Sequence, residues 1–151
     1  DLRSLGTGYT MGLEFFLRQP IPRYRFQAGC NWTVFSEFCG LIKATYTHPV
    51  TLATVSIDGL TLTAAAFDTY DDGYLQYGEL VFGDQRRMIV YHVGATVKLQ
   101  YKISDLAALA AVQAVAGCDW SRTTCENRYD NRDCFGGFPE IPVKNPTVQL
   151  Q

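Results

Sequence analysis

Five cysteines, at positions 30, 39, 118, 125 and 134, constrain this chain more than any other feature. Cys30 and Cys39 form one close pair and Cys118 and Cys125 a second, Cys134 follows alone, and residues 40–117 contain none. A site using both pairs would clip the two ends of the intervening segment onto one base. The spacing matches neither a zinc finger with two C-x2-C knuckles nor the C-x2-C-x2-C run of a bacterial ferredoxin. Spacing alone leaves three chemistries open. Four thiolates suit an iron-sulfur cluster or a tetrahedral zinc ion, because soft sulfur donors serve both. Two disulfides would belong to a secreted module, for which Asn31-Trp32-Thr33 supplies a glycosylation sequon. The odd cysteine count and the lack of a basic-then-apolar targeting pattern in the opening DLRSLGTGYT weigh against that reading. Free structural thiols are the third possibility.

A chain of 151 residues has room for one ordinary domain or a small pair of modules. With 47% apolar and 19% charged residues it falls in the folded class. A formal charge of -2 gives no general electrostatic reason to bind nucleic acid or an acidic membrane. The longest uncharged stretches, Ala44 to Ile57 and Leu106 to Cys118, are too short to cross a bilayer as helices. Residues 58–84 carry acids and no base, and residues 85–102 carry bases and no acid, so neighbouring strands from these stretches would attract across their solvent faces. Asp68, Asp71 and Asp72 would need further oxygen ligands to hold calcium, and the sequence does not order any.

The middle of the chain reads as β-structure. Val55 and Ile57 before Asp58-Gly59, with Leu60 and Leu62 after, predict a hairpin pairing Ile57 with Leu60 and Val55 with Leu62. Leu75 to Phe82 has strand content interrupted by Gly78, and Met88 to Val93 is a second run after a polar turn over residues 83–87. Val97, Leu99, Tyr101 and Ile103 alternate with polar residues, as on a half-buried strand. Ser104 to Ala116 predicts a short turn of helix followed by a strand. Gly12 to Leu17 predicts another strand, stopped by Pro20 and Pro22, and the proline-bearing tail from Gly136 an extended segment. Together these give a mainly β fold, with a small antiparallel barrel or sandwich between two cysteine-bearing segments.

The residues around the cysteines carry a specific resemblance. Cys30-Asn31-Trp32-Thr33 with Cys39-Gly40, then Gly117-Cys118-Asp119, Thr124-Cys125, Arg128-Tyr129 and Phe135-Gly136-Gly137-Phe138-Pro139-Glu140-Ile141-Pro142, resemble the signature segments of the hub proteins of long-tailed phages and gene transfer agents. That group is similar to the cysteine-rich C-terminal domain of the minor tail protein L of phage lambda. Gly78, Leu80, Phe82, Arg87, Ile89, His92 and Gly94 fit the barrel that lies between those segments in the family. The resemblance covers about residues 15–146. It implies that Cys30, Cys39, Cys118 and Cys125 are the ligands of a [4Fe-4S] cluster, with zinc as the fallback. Cys134 departs from the family pattern, as a bystander thiol or a replacement ligand.

The resemblance further implies a structural, non-enzymatic protein of the virion, assembled in the bacterial cytoplasm. Such hubs form a trimeric ring at the tail tip, joining the distal tail protein to a central baseplate or tail fibre protein. It divides the chain into 1–29, an N-terminal strand and linker that ends a preceding barrel; 30–46 with 117–151, an iron-sulfur base; and 47–116, the inserted barrel. The chain then reads as the C-terminal region of a longer polypeptide or as a reduced relative.

Other candidates are weaker. His48 and His92, the two histidines, have no neighbouring acid and nucleophile in a triad-like arrangement, and each reads as a surface or sheet residue. Gly6-Thr7-Gly8 lacks the strand-to-helix context of a nucleotide loop. Arg18, Arg23 and Arg25 around Tyr24 and Phe26 could touch DNA in a tail lumen, but three bases fall short of the roughly six to ten phosphate contacts of substantial salt-dependent binding. A protein interface or a clamp over the cysteine base suits them better. Phe135 and Phe138 read as anchors beside Gly136-Gly137, whose lack of side chains permits close backbone approach.

Overall fold

Two consecutive strands stand at opposite edges of the same sheet, and this shapes the whole fold. The structure is a computed structural model that describes residues 27–140. Its strands are β1 (Thr47–Thr51), β2 (Thr54–Val55), β3 (Thr61–Thr63), β4 (Glu79–Phe82), β5 (Gln85–Val93), β6 (Thr96–Leu99) and β7 (Ala111–Val115). They pair antiparallel in the order β1-β7-β4-β5-β6-β3-β2. Only Leu52 and Ala53 separate β1 from β2, and two residues span at most about 7 Å. The edges must therefore be drawn together, and the sheet curls like a barrel. At the pivot, Leu52 exchanges backbone bonds with Ala110 and Leu109 on the β7 side (3.0 and 2.9 Å), while the Ala53 N–H donates to Thr63 on the β3 side at 2.7 Å. A bulge in β5 between Ile89 and Tyr91 adds to the twist.

The inward face is the core. Val50, Leu52, Leu62, Leu80, Ile89, Val97, Leu99, Val112 and Ala114 are buried there, joined by Phe67, Leu75 and Ile103 from the connections. Each large side chain buried contributes roughly 1.5–3 kcal/mol. The mainly β barrel reading is met, with corrections in detail. Val55 does face Leu62, but Ile57 and Leu60 do not pair. The Gly59 N–H closes a turn onto the Ser56 carbonyl at 2.9 Å, with Gly59 at φ 68° and Ile57 fully exposed. The Ser56 hydroxyl and Leu60 N–H both bond the Asp58 carboxylate, and these local bonds widen the turn beyond two residues. Residues 85–87 belong to β5, and the turn is Gly83-Asp84 alone. Tyr101 lies beyond β6 and is exposed.

No helix forms between Ser104 and Ala110. Leu109 instead takes φ 65° so that its N–H reaches the Leu52 carbonyl, which extends the β1–β7 ladder past helix propensity. The charge contrast between neighbouring stretches leaves Arg86 3.9 Å from Glu79, whose closer partner is Lys43 at 2.6 Å. The expected strand over Gly12 to Leu17, the Arg18, Arg23 and Arg25 cluster, Gly6-Thr7-Gly8 and the tail beyond Glu140 lie outside the described residues.

Thr47 is paired with Val115. The chain therefore enters and leaves the barrel side by side, and both cysteine-bearing segments emerge at one end of it.

Candidate functional site

The segment before the barrel is a string of tight turns. Ser36 closes one, its carbonyl accepting the Gly40 N–H at 3.0 Å and its hydroxyl the Cys39 N–H at 3.4 Å. A 3-10 turn, Lys43–Tyr46, then leads into β1. After the barrel comes one short helix, α1 (Arg122–Asn127), capped by the Ser121 hydroxyl on the Thr124 N–H at 3.1 Å. Asp119 folds back to accept the Ser121 N–H at 3.0 Å. Burial pushes the Asp119 carboxyl up, but bonds from the Ser121 N–H and from the Thr124 and Ser121 hydroxyls outweigh it and hold the group below the ordinary carboxylate value. A last 3-10 turn, Arg132–Cys134, carries the fifth cysteine.

Backbone and glycine contacts seat these segments on each other. Residues 27–31 run beside 136–138, with the Phe138 N–H on the Gln27 carbonyl at 2.8 Å and the Asn31 amide nitrogen on the Gly136 carbonyl at 2.8 Å. A Cβ on Gly136 would stand 2.1 Å from Trp32 Nε1, so only glycine lets this backbone lie against the indole. Trp32 in turn stacks on Phe38 at 4.9 Å. Phe35, Tyr46 and Tyr129 form a chain of ring contacts at 5.9 and 5.0 Å.

Arg128 ties base to barrel. Its Nη1 donates to the carbonyls of Gly73, Tyr74 and Gly117 at 3.4, 3.3 and 3.0 Å, and its guanidinium lies 5.3 Å from the Tyr74 ring centre. The Tyr129 hydroxyl donates to the same Gly117 carbonyl at 2.6 Å, and burial raises its pKa strongly.

This scaffold brings the four cysteines expected as ligands, and Cys134 with them, to one end of the barrel. All five are free thiols; Cys125 is buried, Cys30, Cys39 and Cys118 are half-buried and Cys134 is exposed. The Cys30 N–H donates to the Trp120 carbonyl at 2.8 Å and its sulfur accepts the Gly136 N–H at 3.4 Å. The Cys118 sulfur accepts the Trp120 N–H at 3.3 Å. The Cys125 thiol donates to the Asn131 carbonyl at 3.1 Å, while the Asn131 side chain donates to the Cys39 carbonyl at 2.7 Å. Burial pushes the Cys125 thiol up to about 11, and Cys118, Cys30, Cys39 and Cys134 push it the same way. Cys118 is raised by burial first, then by Asp119, Cys30 and Cys39.

The donor set can be tested against the groups it was expected to hold. Among the described residues, no three or more His, Cys, Asp or Glu side chains are placed to hold a metal ion. Tetrahedral zinc with Zn–S bonds of about 2.3 Å would require sulfurs roughly 3.8 Å apart. A cubic cluster takes one thiolate at each iron corner, so its ligands stand farther apart. The sulfurs of Cys30 and Cys118 each accept a backbone N–H bond, the kind of contact that tunes cysteine-held clusters.

Left-handed backbone occurs here as it does in the barrel connections at Tyr77, Asp105 and Leu109. Phe35, Trp120 and Asp130, none of them glycine, have φ of 62°, 59° and 47°, and each lies a few residues from a cysteine. The side chains of Phe35 and Trp120 do not announce this, whereas aspartate visits the left-handed region more readily. Asn131, which links the Cys39 and Cys125 segments, was also absent from the sequence reading, and its only signal is its place between Cys125 and Cys134.

The remaining candidates are accounted for structurally. His92 is buried, with Nδ1 accepting the Leu75 N–H at 3.4 Å and Nε2 3.2 Å from the Phe67 carbonyl. His48 packs on Tyr70 and Tyr74, and its Nε2 lies 3.2 Å from the Tyr74 hydroxyl. Asp72 accepts the Gly94 N–H at 2.8 Å. An open cleft of about 410 Å³ runs along α1 past Asp71, Tyr74, Asn127 and Arg128. No helix among the described residues is long and apolar enough to cross a membrane.

Fold and site together define a small curled β-barrel carried on a base of cysteine-bearing turns. The family model described as "Phage conserved hypothetical protein BR0599" matches residues 68–145, just over half of the sequence, and the chain belongs to that phage family. The matched region includes Cys118, Cys125 and Cys134; Cys30 and Cys39 precede it. Among solved structures, the chain is similar to one described as "Virion of native gene transfer agent (GTA) particle", with a TM-score of 0.71 and 22% identity. The likeness covers 89% of this chain and 50% of that one, so the chain shares its fold and spans half its length. No curated protein matches it by sequence.

Proposed function

We propose that this chain is a structural hub component of a phage tail tip or baseplate, in which Cys30, Cys39, Cys118 and Cys125 hold an iron-sulfur cluster. The observation that carries the reading is that the cysteine-bearing segments, one before the barrel and one after it, meet at a single end of it. Membership of a phage family and a fold shared with a chain of a gene transfer agent virion support it. When bound, a [4Fe-4S] cluster would supply folding free energy, because its ligand shell exists only in the ordered base.

The protein's own residues do the rest. Asn131 positions the Cys39 and Cys125 segments, Trp120 and Gly136 present N–H groups to the sulfurs of Cys118 and Cys30, and Arg128 with Tyr129 transmits the order of the base to the barrel. The role is architectural and involves no catalysis. In this reading the partners are two further copies in a trimeric ring, a distal tail protein, and a central baseplate or tail fibre protein, and the place of action is the virion.

The test is the absorption spectrum of protein purified without oxygen, with iron, sulfide and zinc measured on the same sample. Broad absorbance near about 400 nm with about four irons and four sulfides per chain is the expected result. A colourless sample with paired thiols would refute the cluster and favour a disulfide-stabilised secreted module. One zinc per chain would favour a zinc-stabilised structural domain. The mass of the loaded particle in solution tests the trimer.

A further inference from the structure

Two clefts meet at Arg128. The first, about 410 Å³, lies between Asp71 on the β3–β4 connection and Asn127 on α1; the second, about 370 Å³, is lined by Gln76, Tyr77 and two aspartates, Asp72 and Asp119. Both fall within the roughly 300–1,000 Å³ of small-molecule sites. Arg128 is fixed between them through one nitrogen. Nη1 carries all three of its bonds to carbonyls, which leaves Nε and Nη2 without a carbonyl or carboxylate. Asp71 lines the first cleft with Arg128, yet among the described residues no ion pair joins them. No hydrogen bond among the described residues engages the side chains of Asp71, Asn127 or Gln76 either. In the second cleft Tyr77 stands beside Trp120, their ring centres 5.9 Å apart, and both rings are partly exposed.

This set of groups selects a ligand class. A carboxylate only accepts hydrogen bonds, a guanidinium only donates them, and the amides of Asn127 and Gln76 do both. An anion would meet the three aspartates and a cation would meet Arg128. An uncharged polyol satisfies every group, because each hydroxyl donates and accepts, and adjacent ring hydroxyls match the two-pronged carboxylate, amide and guanidinium. The C–H face of a pyranose ring is apolar and suits a partly exposed aromatic ring, which combines an apolar body with a polar tip.

We propose that the two clefts form one groove for an uncharged oligosaccharide, with Arg128 at its midpoint, Asp71 and Asn127 holding ring hydroxyls on one side and Gln76 and Tyr77 on the other. No cysteine lines either cleft, so the groove's ligand is independent of what the thiols hold.

The experiment titrates the full chain with maltotetraose, cellotetraose and chitotetraose, then with the matching disaccharides, at millimolar concentrations. It reads the side-chain amide signals of Asn127 and Gln76 and the indole N–H of Trp120 by NMR. At least one tetrasaccharide should shift all three signals along a single saturation curve. Its disaccharide, filling one cleft, should bind about tenfold more weakly or worse. N127A and Q76A should each weaken the tetrasaccharide about 5–10-fold, and both should melt with wild type because neither side chain bonds within the fold. No shift from any of the three tetrasaccharides would overturn the proposal, as would binding that N127A and Q76A leave unchanged. Equal affinity for disaccharide and tetrasaccharide would overturn the continuous groove. Shifts produced by free glutamate or lysine, and not by the saccharides, would overturn it in favour of a charged ligand.

Discussion

Gly117 offers the sharpest test of how barrel and base are joined. A Cβ on it would stand 1.8 Å from the Gln76 carbonyl oxygen and 2.4 Å from the Gly78 nitrogen, both backbone atoms. Non-bonded carbon contacts settle near about 3.5 Å, so alanine requires the two backbone segments to part by roughly 1–2 Å. The loop that must give way is held by the Tyr77 N–H on the Ile89 carbonyl at 2.8 Å and the Ile89 N–H on the Gly78 carbonyl at 2.9 Å, and Gly117 itself donates to Tyr74 at 3.0 Å. Loss of these three bonds at about 1 kcal/mol each, with about 1–3 kcal/mol of overpacking, puts Gly117→Ala at roughly 4–6 kcal/mol. For a chain this size that is a fall of roughly 8–24 °C in Tm, read by circular dichroism. Gly83→Ala is the control. Gly83 has φ 56° but open space around it, so alanine there meets only the backbone penalty of about 1–2 kcal/mol. A Gly117→Ala melt no lower than that of Gly83→Ala would refute the claim that these backbones touch.

The remaining expectations concern the clamp and one histidine. Arg128→Met keeps an apolar stem but loses the bonds to three carbonyls, and should cost about 2–3 kcal/mol in urea unfolding; Arg128→Lys should recover only part of it. Tyr129→Phe should cost about 1 kcal/mol, because Gly117 keeps its bond from Arg128, and Arg128→Met/Tyr129→Phe should cost more than the sum because that carbonyl is then left unpaired. Burial lowers the pKa of His48 below its ordinary 6.5, so the folded state prefers the neutral ring. That contribution is complete above about pH 6.5 and is lost as the pH falls through the lowered value, so Tm should drop on acidification, and His48→Gln should flatten the slope in a pH series of melts.

The parts of the fold that were readable in the sequence are those where local chemistry and tertiary need agree. Val97 and Leu99 alternate with polar neighbours and are buried, and Val55 opposes Leu62 as the turn residues imply. Reading failed where a distant partner overrides the local preference. Leu106 to Leu109 has helical composition, yet Leu109 adopts a left-handed conformation to complete a ladder with a residue far earlier in the chain. The cysteines were visible as pairs, but what supports them was not. Asn131 is an unremarkable polar residue until Cys39 is folded against it, and the need for glycine at 136 arises only because Trp32 occupies the adjacent space. The left-handed backbone at Phe35 and Trp120 runs against the preference of bulky residues, so composition cannot signal it.

The pairing of Thr47 with Val115 means that the chain departs from the base and returns to it at neighbouring points. Opposed residues in an antiparallel pair lie only about 4.5–5.5 Å apart, a gap that a two-residue turn can bridge. To the cysteine-bearing turns, the barrel is thus one long excursion with a short footprint. Its outer face can change in length or charge without altering where the chain rejoins the base.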